Sequence, residues 1–298
     1  MIVITTPTGN IGSQVLGTIL DSAPSGGEKL RVIVRDPAKL SDSVRDRVDV
    51  VPGSHGDPDV VDRAFAGADA VFWLVPPNPS APSLEIAYSG FTRAAAQAFT
   101  AHGVEHVVGV SALGRGTPVA GQAGLVTAAL AVDDLIASTG VAYRALANPG
   151  FMDNVLRQVG SIRDDGVFTY TAAADRLAPM VATRDIAVTA AGLLLDRSWT
   201  GVGSVPVLGP EDLSPDDMAR IMSEVLGTPV RYERQSLQDL GATLTGYGLG
   251  DAFVQGMVDM MRAKDEGLDD GGQRTPQTAS PMTFRQWCAE VLAPAVLS

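Results

Sequence analysis

The stretch Ile2-Val-Ile-Thr-Thr-Pro-Thr-Gly9-Asn-Ile-Gly12-Ser13 passes from an apolar run directly into a turn with two glycines. After the turn, apolar residues recur at three- and four-residue spacing from Ile11 to Leu20, which predicts an amphipathic helix. A glycine turn between a strand and a helix lets the backbone approach a pyrophosphate, whose charge then lies at the helix N-terminus. The spacing therefore predicts a dinucleotide-binding unit, with a plain tight turn as the alternative.

The apolar runs of strand length that follow are continuous rather than alternating, as expected when helices cover both faces of a sheet. They are Leu30–Arg35, Ala70–Val75, His106–Ser111 and Val141–Leu146, and helical patterns separate them. This alternation predicts an α/β fold with a Rossmann-type doubly wound parallel sheet. Residues 1–149 are expected to form an NAD(P)-binding Rossmann domain. Residues 150–298 are expected to form a smaller, mainly helical C-terminal α/β lobe that binds substrate, with some elements rejoining the sheet.

In the second half of the chain, the pattern becomes mainly helical. Ser214, Pro215 and Asp217 have the types and spacing of a helix start. The segment Asp265–Pro281 is rich in Gly, Asp, Pro and Thr, which predicts a surface loop. Helices are predicted at Arg184–Asp196, Pro215–Leu226, Leu237–Thr245, Asp251–Ala263 and Phe284–Leu292, and short strands near Ser204–Leu208 and Val230–Glu233.

Composition and charge restrict the partners. The 298 residues carry a formal net charge of −12, which repels nucleic acid and anionic lipid, so a small-molecule substrate is the expected partner. Apolar stretches such as Ala187–Leu195 are shorter than the ~18–20 residues of a membrane span. The single cysteine, Cys288, has no metal-ligand spacing around it and suits a reducing, cytoplasmic compartment. No metal site is expected, and a homodimer is left open.

The end of the second predicted strand indicates which dinucleotide binds. An acid there binds the ribose hydroxyls of NAD, whereas an arginine accommodates the additional 2′-phosphate of NADP. Arg35 directly follows the strand and Lys39 lies four residues later. NADP(H) is therefore the preferred cofactor, while Asp36 keeps NAD(H) as an alternative.

Taken in order, several segments of the chain resemble the NmrA-like group of atypical short-chain dehydrogenases/reductases. That group includes NADPH-dependent quinone reductases, other NAD(P)H-using reductases and redox-sensing regulators without catalytic activity. The matching segments are Thr8–Gly12, Val34–Pro37, Ala64–Phe72, Val107–Ala112, Ser138–Tyr143, Asn148–Asn154, Thr183–Ala187 and Val207–Ser214.

The resemblance implies where the cofactor lies. The glycine turn would hold the pyrophosphate, Arg35 the 2′-phosphate, and Phe151 would border the nicotinamide pocket. The chain departs from the family pattern at Thr6, which replaces the first of the usual three glycines, and at Gly53-Ser54, where the family often has Gly-Asp. The expected cofactor-binding residues are Thr6, Thr8, Gly9, Asn10, Ile11, Gly12, Arg35, Lys39, Leu74, Val75, Pro76 and Phe151.

The usual catalytic pair of short-chain dehydrogenases is missing. These enzymes use a tyrosine followed four residues later by a lysine, and none of the five tyrosines here has a lysine at that spacing. The candidates that are left are Ser111, Arg115 and Asn148, with Asp133 or Asp134 behind them. Ser111 ends a strand at the carboxyl edge of the sheet, where ligands bind, unless it is only a capping hydroxyl. Arg115 is expected to meet an anionic or enolate oxygen, with a solvated loop charge as the alternative.

Two functions fit this pattern. The first is an NAD(P)H-dependent oxidoreductase that transfers hydride to a quinone, azo or activated-enone small molecule. Such acceptors stabilise the resulting anion by conjugation, so the tyrosine–lysine pair is dispensable. The second is a non-catalytic NADP-binding redox sensor or regulator that acts through a protein partner. An isomerase or lyase is a minor third alternative.

Overall fold

Short apolar strands alternate with amphipathic helices through the first half of the chain. The computed structural model describes residues 1–22, 27–276 and 278–298. The strands are β1 Ile2–Thr5, β2 Leu30–Val34, β3 Asp49–Pro52, β4 Ala70–Trp73, β5 His106–Ala112, β6 Ala142–Asn148, β7 Gly150–Phe151, β8 Val167–Tyr170, β9 Ala178–Val181, β10 Val202–Pro206, β11 Asp212–Leu213 and β12 Arg231–Arg234. The helices are α1 Asn10–Ser22, α2 Asp42–Arg45, α3 Pro58–Phe65, α4 Phe91–Ala101, α5 Leu125–Ala137, α6 Val159–Asp165, α7 Thr183–Leu195, α8 Pro215–Leu226, α9 Leu237–Gly246, α10 Asp251–Asp265, α11 Phe284–Trp287 and α12 Ala293–Leu297.

The central sheet has seven strands in the order β3-β2-β1-β4-β5-β6-β10, and every neighbouring pair is parallel. The predicted doubly wound Rossmann-type sheet is therefore confirmed. The order reverses between β1 and β4, which opens a crevice at the carboxyl ends of these two strands. The seventh strand comes from the second half of the chain, where Val202 pairs with Tyr143 of β6.

Two apolar layers bury the sheet. On β1, the alternate residues Ile2 and Ile4 join the cluster that contains α1 and α7, whereas Val3 joins the cluster that contains α3, α4 and α5. All three side chains have no exposed surface. The continuous apolar strands seen in the sequence are thus explained, because each face of the sheet packs against helices.

The second half of the chain has a core of its own, built around Phe284, Trp287 and Met222. In this half, β8 pairs with β12, and the short strands β7, β9 and β11 form a small sheet. Because β7 directly follows β6, this small sheet lies at the carboxyl edge of the central one. The lobe is thereby placed over the edge where a Rossmann sheet binds its ligands.

Local signals predicted most helix ends to within a few residues. The helix predicted at Pro215–Leu226 is confirmed with those bounds, and Ser214 and Asp217 form a complete capping box at its start. The helix predicted at Phe284–Leu292 is α11 followed by a wider helical turn that ends at Leu292. No helix in residues 1–22, 27–276 or 278–298 is both long and apolar enough to cross a membrane.

The prediction of a surface loop at Asp265–Pro281 is confirmed for most of the described residues of that segment, which lie in turns or irregular backbone, but it is wrong for three buried ones. Leu268 is fully buried, and Asp269 and Ser280 are nearly so. Leu208 explains part of this burial, because it forms an isolated parallel bridge with Ala279 and accepts hydrogen bonds from Ser280. Residue 277 of this segment lies outside the described part of the chain. Composition alone did not reveal these backbone partners.

Candidate active site

The turn after β1 brings the backbone of Gly12 very close to the backbone of Thr6. Thr6 has a φ of +52°, in the left-handed region that favours glycine, and glycine is the residue that the family pattern leads us to expect at this position. Its carbonyl oxygen accepts a hydrogen bond from Gly9 N at 2.9 Å. A Cβ on Gly12 would lie 2.1 Å from the same carbonyl oxygen, so no side chain fits there.

The first turn of α1 offers the donors that a pyrophosphate needs. The helix begins at Asn10, and the amides of a first helical turn have no acceptor within the helix. The Thr6 hydroxyl is buried and has no hydrogen-bond partner. These residues fit the diphosphate of a nicotinamide dinucleotide, because free amides lie beside a backbone cradle. A Cβ at Gly12 would fill that cradle.

A polar cluster ties the glycine turn to the second half of the chain. The Asp153 carboxylate accepts hydrogen bonds from Asn10 Nδ2 at 3.1 Å and from Thr183 Oγ1 at 2.7 Å. Gln14 Nε2 donates to Asn10 Oδ1 and to Thr183 Oγ1 at 3.0 and 3.1 Å. The sequence shows these residues in three separate segments, and only the fold brings them together.

Segment 74–76, expected beside the cofactor, is anchored from two sides. Thr5 Oγ1 donates to the carbonyl of Phe72 at 2.9 Å and accepts from the amide of Leu74 at 3.2 Å. His55 Nε2 lies 2.9 Å from the carbonyl oxygen of Leu74. Sequence reasoning did not identify Thr5, whose hydroxyl joins the ends of β1 and β4 at the crevice.

His55 is enclosed by aromatic rings. Its ring centroid lies 5.1 Å from that of Trp73 and 4.9 Å from that of Phe91, both in edge-on geometry. The pKa of His55 is lowered to about 4, chiefly by burial and also by the nearby positive charge of Arg35, while the hydrogen bond to Leu74 opposes both effects. The ring is thus neutral at pH 7, and its Nε2–H donates to Leu74.

The buried His55 is expected to make folding stability depend on pH. The unfolded chain binds a proton at this position below about pH 6.5, whereas the folded protein binds one only below about pH 4. Stability is therefore lost as the pH falls from 6.5 to 4, by on the order of 3 kcal/mol. Urea unfolding at pH 7 and at pH 4 should show this loss in the wild type and a smaller one in His55→Gln. Equal losses in the two proteins would contradict the assignment.

The residues expected at the 2′-phosphate lie at the end of β2. Arg35 and Lys39 are exposed, and no hydrogen bond or ion pair of either side chain is recorded within the described ranges. Asp36 instead caps the short turn that follows, because its carboxylate accepts from the amide of Ala38 at 3.1 Å. One oxygen of the competing acid is thus used by the turn, whereas the Arg35 guanidinium has no such partner among the described residues.

Ser111 belongs to a buried hydrogen-bond network centred on Asp133. The Asp133 carboxylate accepts from Ser111 Oγ and from the Tyr143 hydroxyl, each at 2.6 Å. Gly109 leaves the space for this arrangement, because a Cβ there would lie 2.3 Å from the Tyr143 oxygen. Burial raises the pKa of Asp133, and burial together with the Asp133 charge raises that of Tyr143 well above its ordinary value.

The other two catalytic candidates adjoin this network. Asn148 Nδ2 donates to the carbonyl of Ser111 at 3.0 Å, and its Oδ1 is buried without a partner. Arg115 contacts α5 from outside, at 2.8 Å from Asp134 and 3.5 Å from Asp133. Its side chain is about half exposed, and its second amino group donates to the carbonyl of Leu130. The catalytic roles of all three stay predictions.

A cleft of about 820 Å³, counting open solvent at its mouth, lies between β7, β9 and the end of α10. Of the residues expected at the site, Phe151 lines this cleft. The walls of the cleft are mostly apolar. Several of its polar side chains were missed by sequence reasoning, because they lie in or near the segment that was predicted to be a surface loop. The polar lining comprises Asn154, Gln158, Tyr170, Thr171, Arg176, Lys264, Asp265, Asp269 and Asp270.

The chain is similar to known reductases along nearly its full length. It is 31% identical over 295 residues to the (4-alkanoyl-5-oxo-2,5-dihydrofuran-3-yl)methyl phosphate reductase of Streptomyces griseus, covering 97% of both chains. It is 26% identical to the NAD(P)H azoreductase of Xenophilus azovorans, covering 87% of this chain and 86% of that one. It is also 26% identical to quinone oxidoreductase 2 of Escherichia coli, covering 91% and 89%.

A solved structure and a family model are also similar to this chain, and both concern proteins that bind NAD(P)H. The triphenylmethane reductase of Citrobacter sp., solved with NADP(H), superposes with a TM-score of 0.80 at 19% identity and covers 99% of this chain and 100% of its own. Residues 7–197 match a family model described as NAD(P)H-binding. The chain therefore belongs to the NAD(P)H-binding family and is an NAD(P)H-dependent oxidoreductase.

Proposed function

We propose that this protein uses NADPH to reduce an electron-poor conjugated small molecule, namely a quinone, an azo compound or an activated enone. The observation that carries the proposal is the mostly apolar cleft that Phe151 lines, found in a chain that lacks a tyrosine–lysine proton donor. Three relatives support the substrate class, because their names specify a quinone, an azo compound and a dihydrofuranone. The ring double bond of that dihydrofuranone is conjugated with two carbonyl groups, which makes it an activated enone.

The Asp133 network supports an acceptor that needs no strong general acid. Tyr143 lies near the candidate catalytic residues, but its hydroxyl donates to Asp133 and its pKa is raised well above the ordinary value. A phenol with a raised pKa is a weaker acid, so Tyr143 does not replace the missing proton donor. Lys264 lines the cleft, but it is engaged in an ion pair with Asp269.

For an activated enone, bound NADPH would supply one hydride from its transferable C–H bond and would leave as NADP⁺. The hydride forms a new C–H bond at the β-carbon of the acceptor, and the π electrons move onto the carbonyl oxygen as an enolate. A proton from water then completes the saturated product. Conjugation with a second carbonyl stabilises the enolate, so the protein only has to bind, orient and shield the acceptor.

In this proposal, each candidate residue has a separate task. The backbone cradle at Gly9–Gly12 holds the diphosphate, and Arg35 holds the 2′-phosphate. The free Oδ1 of Asn148 accepts a hydrogen bond from the carboxamide of the nicotinamide, since its Nδ2 is already bound to the carbonyls of Ser111 and Leu146. Ser111 and Tyr143 orient Asp133, and Arg115 contributes positive charge beside Asp133 and Asp134.

Acceptor-dependent oxidation of NADPH tests the proposal. The purified protein should consume NADPH, followed at 340 nm, with at least one member of a panel of quinones, azo dyes and doubly activated enones. A simple ketone should give no turnover, because its alkoxide is not stabilised by conjugation. Tight NADPH binding without turnover on any acceptor would instead favour the redox sensor that acts through a protein partner.

Removing the Arg35 side chain is expected to weaken NADPH binding selectively. A hydrogen bond to a charged group contributes about 1.5–3 kcal/mol, so the Kd of Arg35→Ala for NADPH should rise roughly 10- to 150-fold. The Kd for NADH should change less than about two-fold, because NADH has no 2′-phosphate. Arg63→Ala, an exposed arginine in the last turn of α3, is the matched control. Calorimetry that found the same NADPH affinity in both variants would refute the assignment.

A further inference from the structure

Unpartnered polar atoms are concentrated at the cleft. Among the described residues, seven buried side-chain polar atoms have no hydrogen-bond partner, and three of them belong to cleft-lining residues. These are Thr171 Oγ1, Arg176 Nε and Asp269 Oδ1. Thr171 and Asp269 are 95% and 94% buried, and a buried polar group that lacks a partner is unfavourable. A wall with this many unpaired groups is expected to have a ligand as its partner.

The charges of this wall are already balanced in pairs. Lys264 forms an ion pair with Oδ2 of Asp269, which leaves Oδ1 as the free acceptor. Arg176 Nη2 contacts both oxygens of Asp270, at 2.7 and 2.9 Å, which leaves its Nε–H as the free donor. Each cation of the cleft lining is thus bound to a carboxylate. The wall offers one charged acceptor, one charged donor and one hydroxyl, without a net positive charge.

We propose that Thr171, Arg176 and Asp269 form a substrate-specificity subsite that binds an uncharged hydroxyl group on the acceptor. A hydroxyl group donates to Asp269 Oδ1 and accepts from Arg176 Nε–H or from Thr171, which a purely apolar substituent does not do. The inference rests on the proposed reductase function, because it assigns this cleft to the acceptor.

The same wall is unsuited to a phosphate. A phosphate dianion would face the free carboxylate oxygen of Asp269, and Lys264 and Arg176 would have to break existing ion pairs in order to bind it. Like-charge contact in a partly buried site is unfavourable. This chain is therefore expected to reject phosphorylated acceptors, although the named substrate of its Streptomyces griseus relative carries a phosphate.

Matched acceptors test the subsite. The probes are four 1,4-naphthoquinones that differ only in one ring substituent: methyl, hydroxymethyl, methoxymethyl or phosphomethyl. The wild type should show its lowest KM for the hydroxymethyl compound, by about ten-fold over the methyl and methoxymethyl compounds, with similar kcat. The highest KM should belong to the phosphate. Equal KM values for the methyl and hydroxymethyl compounds, or a preference for the phosphate, would overturn the proposal.

Two near-isosteric variants locate the effect. Asp269→Asn and Thr171→Val should each remove most of the preference for the hydroxymethyl acceptor while leaving the KM for the methyl acceptor within about two-fold. Asp259→Asn removes a carboxylate from the same helix as Lys264 but outside the cleft lining, and it should behave like the wild type. If Asp269→Asn does not fold, the KM values of Thr171→Val alone test the subsite. A KM that rises equally for both acceptors would indicate a merely structural role.

Failure of this inference differs from failure of the proposed function. A wild type that reduces the methyl compound without discriminating among substituents refutes the subsite and keeps the reductase. A wild type that reduces none of the four compounds refutes the quinone reductase activity. In that case, equilibrium dialysis of the hydroxymethyl and methyl compounds against the NADP⁺-bound protein still tests the subsite, which predicts about ten-fold tighter binding of the former.

Discussion

Replacing Gly12 by alanine is expected to weaken the binding of NADPH by roughly two orders of magnitude or more. The added Cβ would lie 2.1 Å from the Thr6 carbonyl oxygen and 2.7 Å from its carbon, so the turn that cradles the diphosphate has to open. Neither neighbour can give way easily, since both atoms belong to the backbone and Thr6 already has a positive φ. Calorimetry should show a Kd raised by roughly 100-fold or more, which corresponds to about 3 kcal/mol.

Gly17→Ala provides the control in the same helix. Nothing lies within 4 Å of a Cβ at Gly17, so this variant should bind NADPH like the wild type. It should also be slightly more stable, because alanine is favoured over glycine in a helix by up to about 1 kcal/mol. Equal losses of NADPH affinity in the two variants would show that the close approach at Gly12 is not what the cofactor requires.

Removing the Asp133 carboxylate is expected to have the largest effect on stability. Asp133→Ala leaves the hydroxyls of Ser111 and Tyr143 buried without an acceptor, at a cost of about 1–3 kcal/mol each. The free energy of unfolding in urea should therefore fall by on the order of 3 kcal/mol. Asp133→Asn keeps one acceptor oxygen, so its free energy of unfolding should fall by less.

The neighbouring residue gives the matched comparison. Asp134 is largely exposed, and among the described residues its ion-pair partner is the half-exposed Arg115, so Asp134→Ala should change stability by less than about 1 kcal/mol. If Asp133→Ala and Asp134→Ala destabilised the protein equally, the network at the end of β5 would not be the structural centre that its hydrogen bonds indicate.

The cofactor half of the fold could be predicted from sequence because its signals are local. Gly9 and Gly12 follow a strand and open a helix, and Arg35 directly follows the next strand, so each residue is positioned by its own neighbours in the chain. Parallel pairing then brings both strand ends to one edge. Even Thr6 fits this pattern, since its positive φ is what the missing glycine would have supplied.

The substrate half was less predictable because its contacts are long-range. Asp269 lies in a segment whose composition is that of a surface loop, yet it is buried and forms an ion pair with Lys264 of α10. No local spacing indicates that Thr171 and Asp269, almost a hundred residues apart, line one cleft. The prediction for Arg115 had the same difficulty, since its partners on α5 are fixed by packing rather than by its glycine-flanked loop.

The most direct test of hydride transfer to a conjugated acceptor uses NADPH that carries deuterium on the transferable position. With a doubly activated enone as acceptor, the account predicts that one deuterium appears on the β-carbon of the saturated product and that single-turnover reduction is slowed by a primary isotope effect. Micromolar binding of NADPH with no deuterium transferred to any member of an enone panel would contradict it.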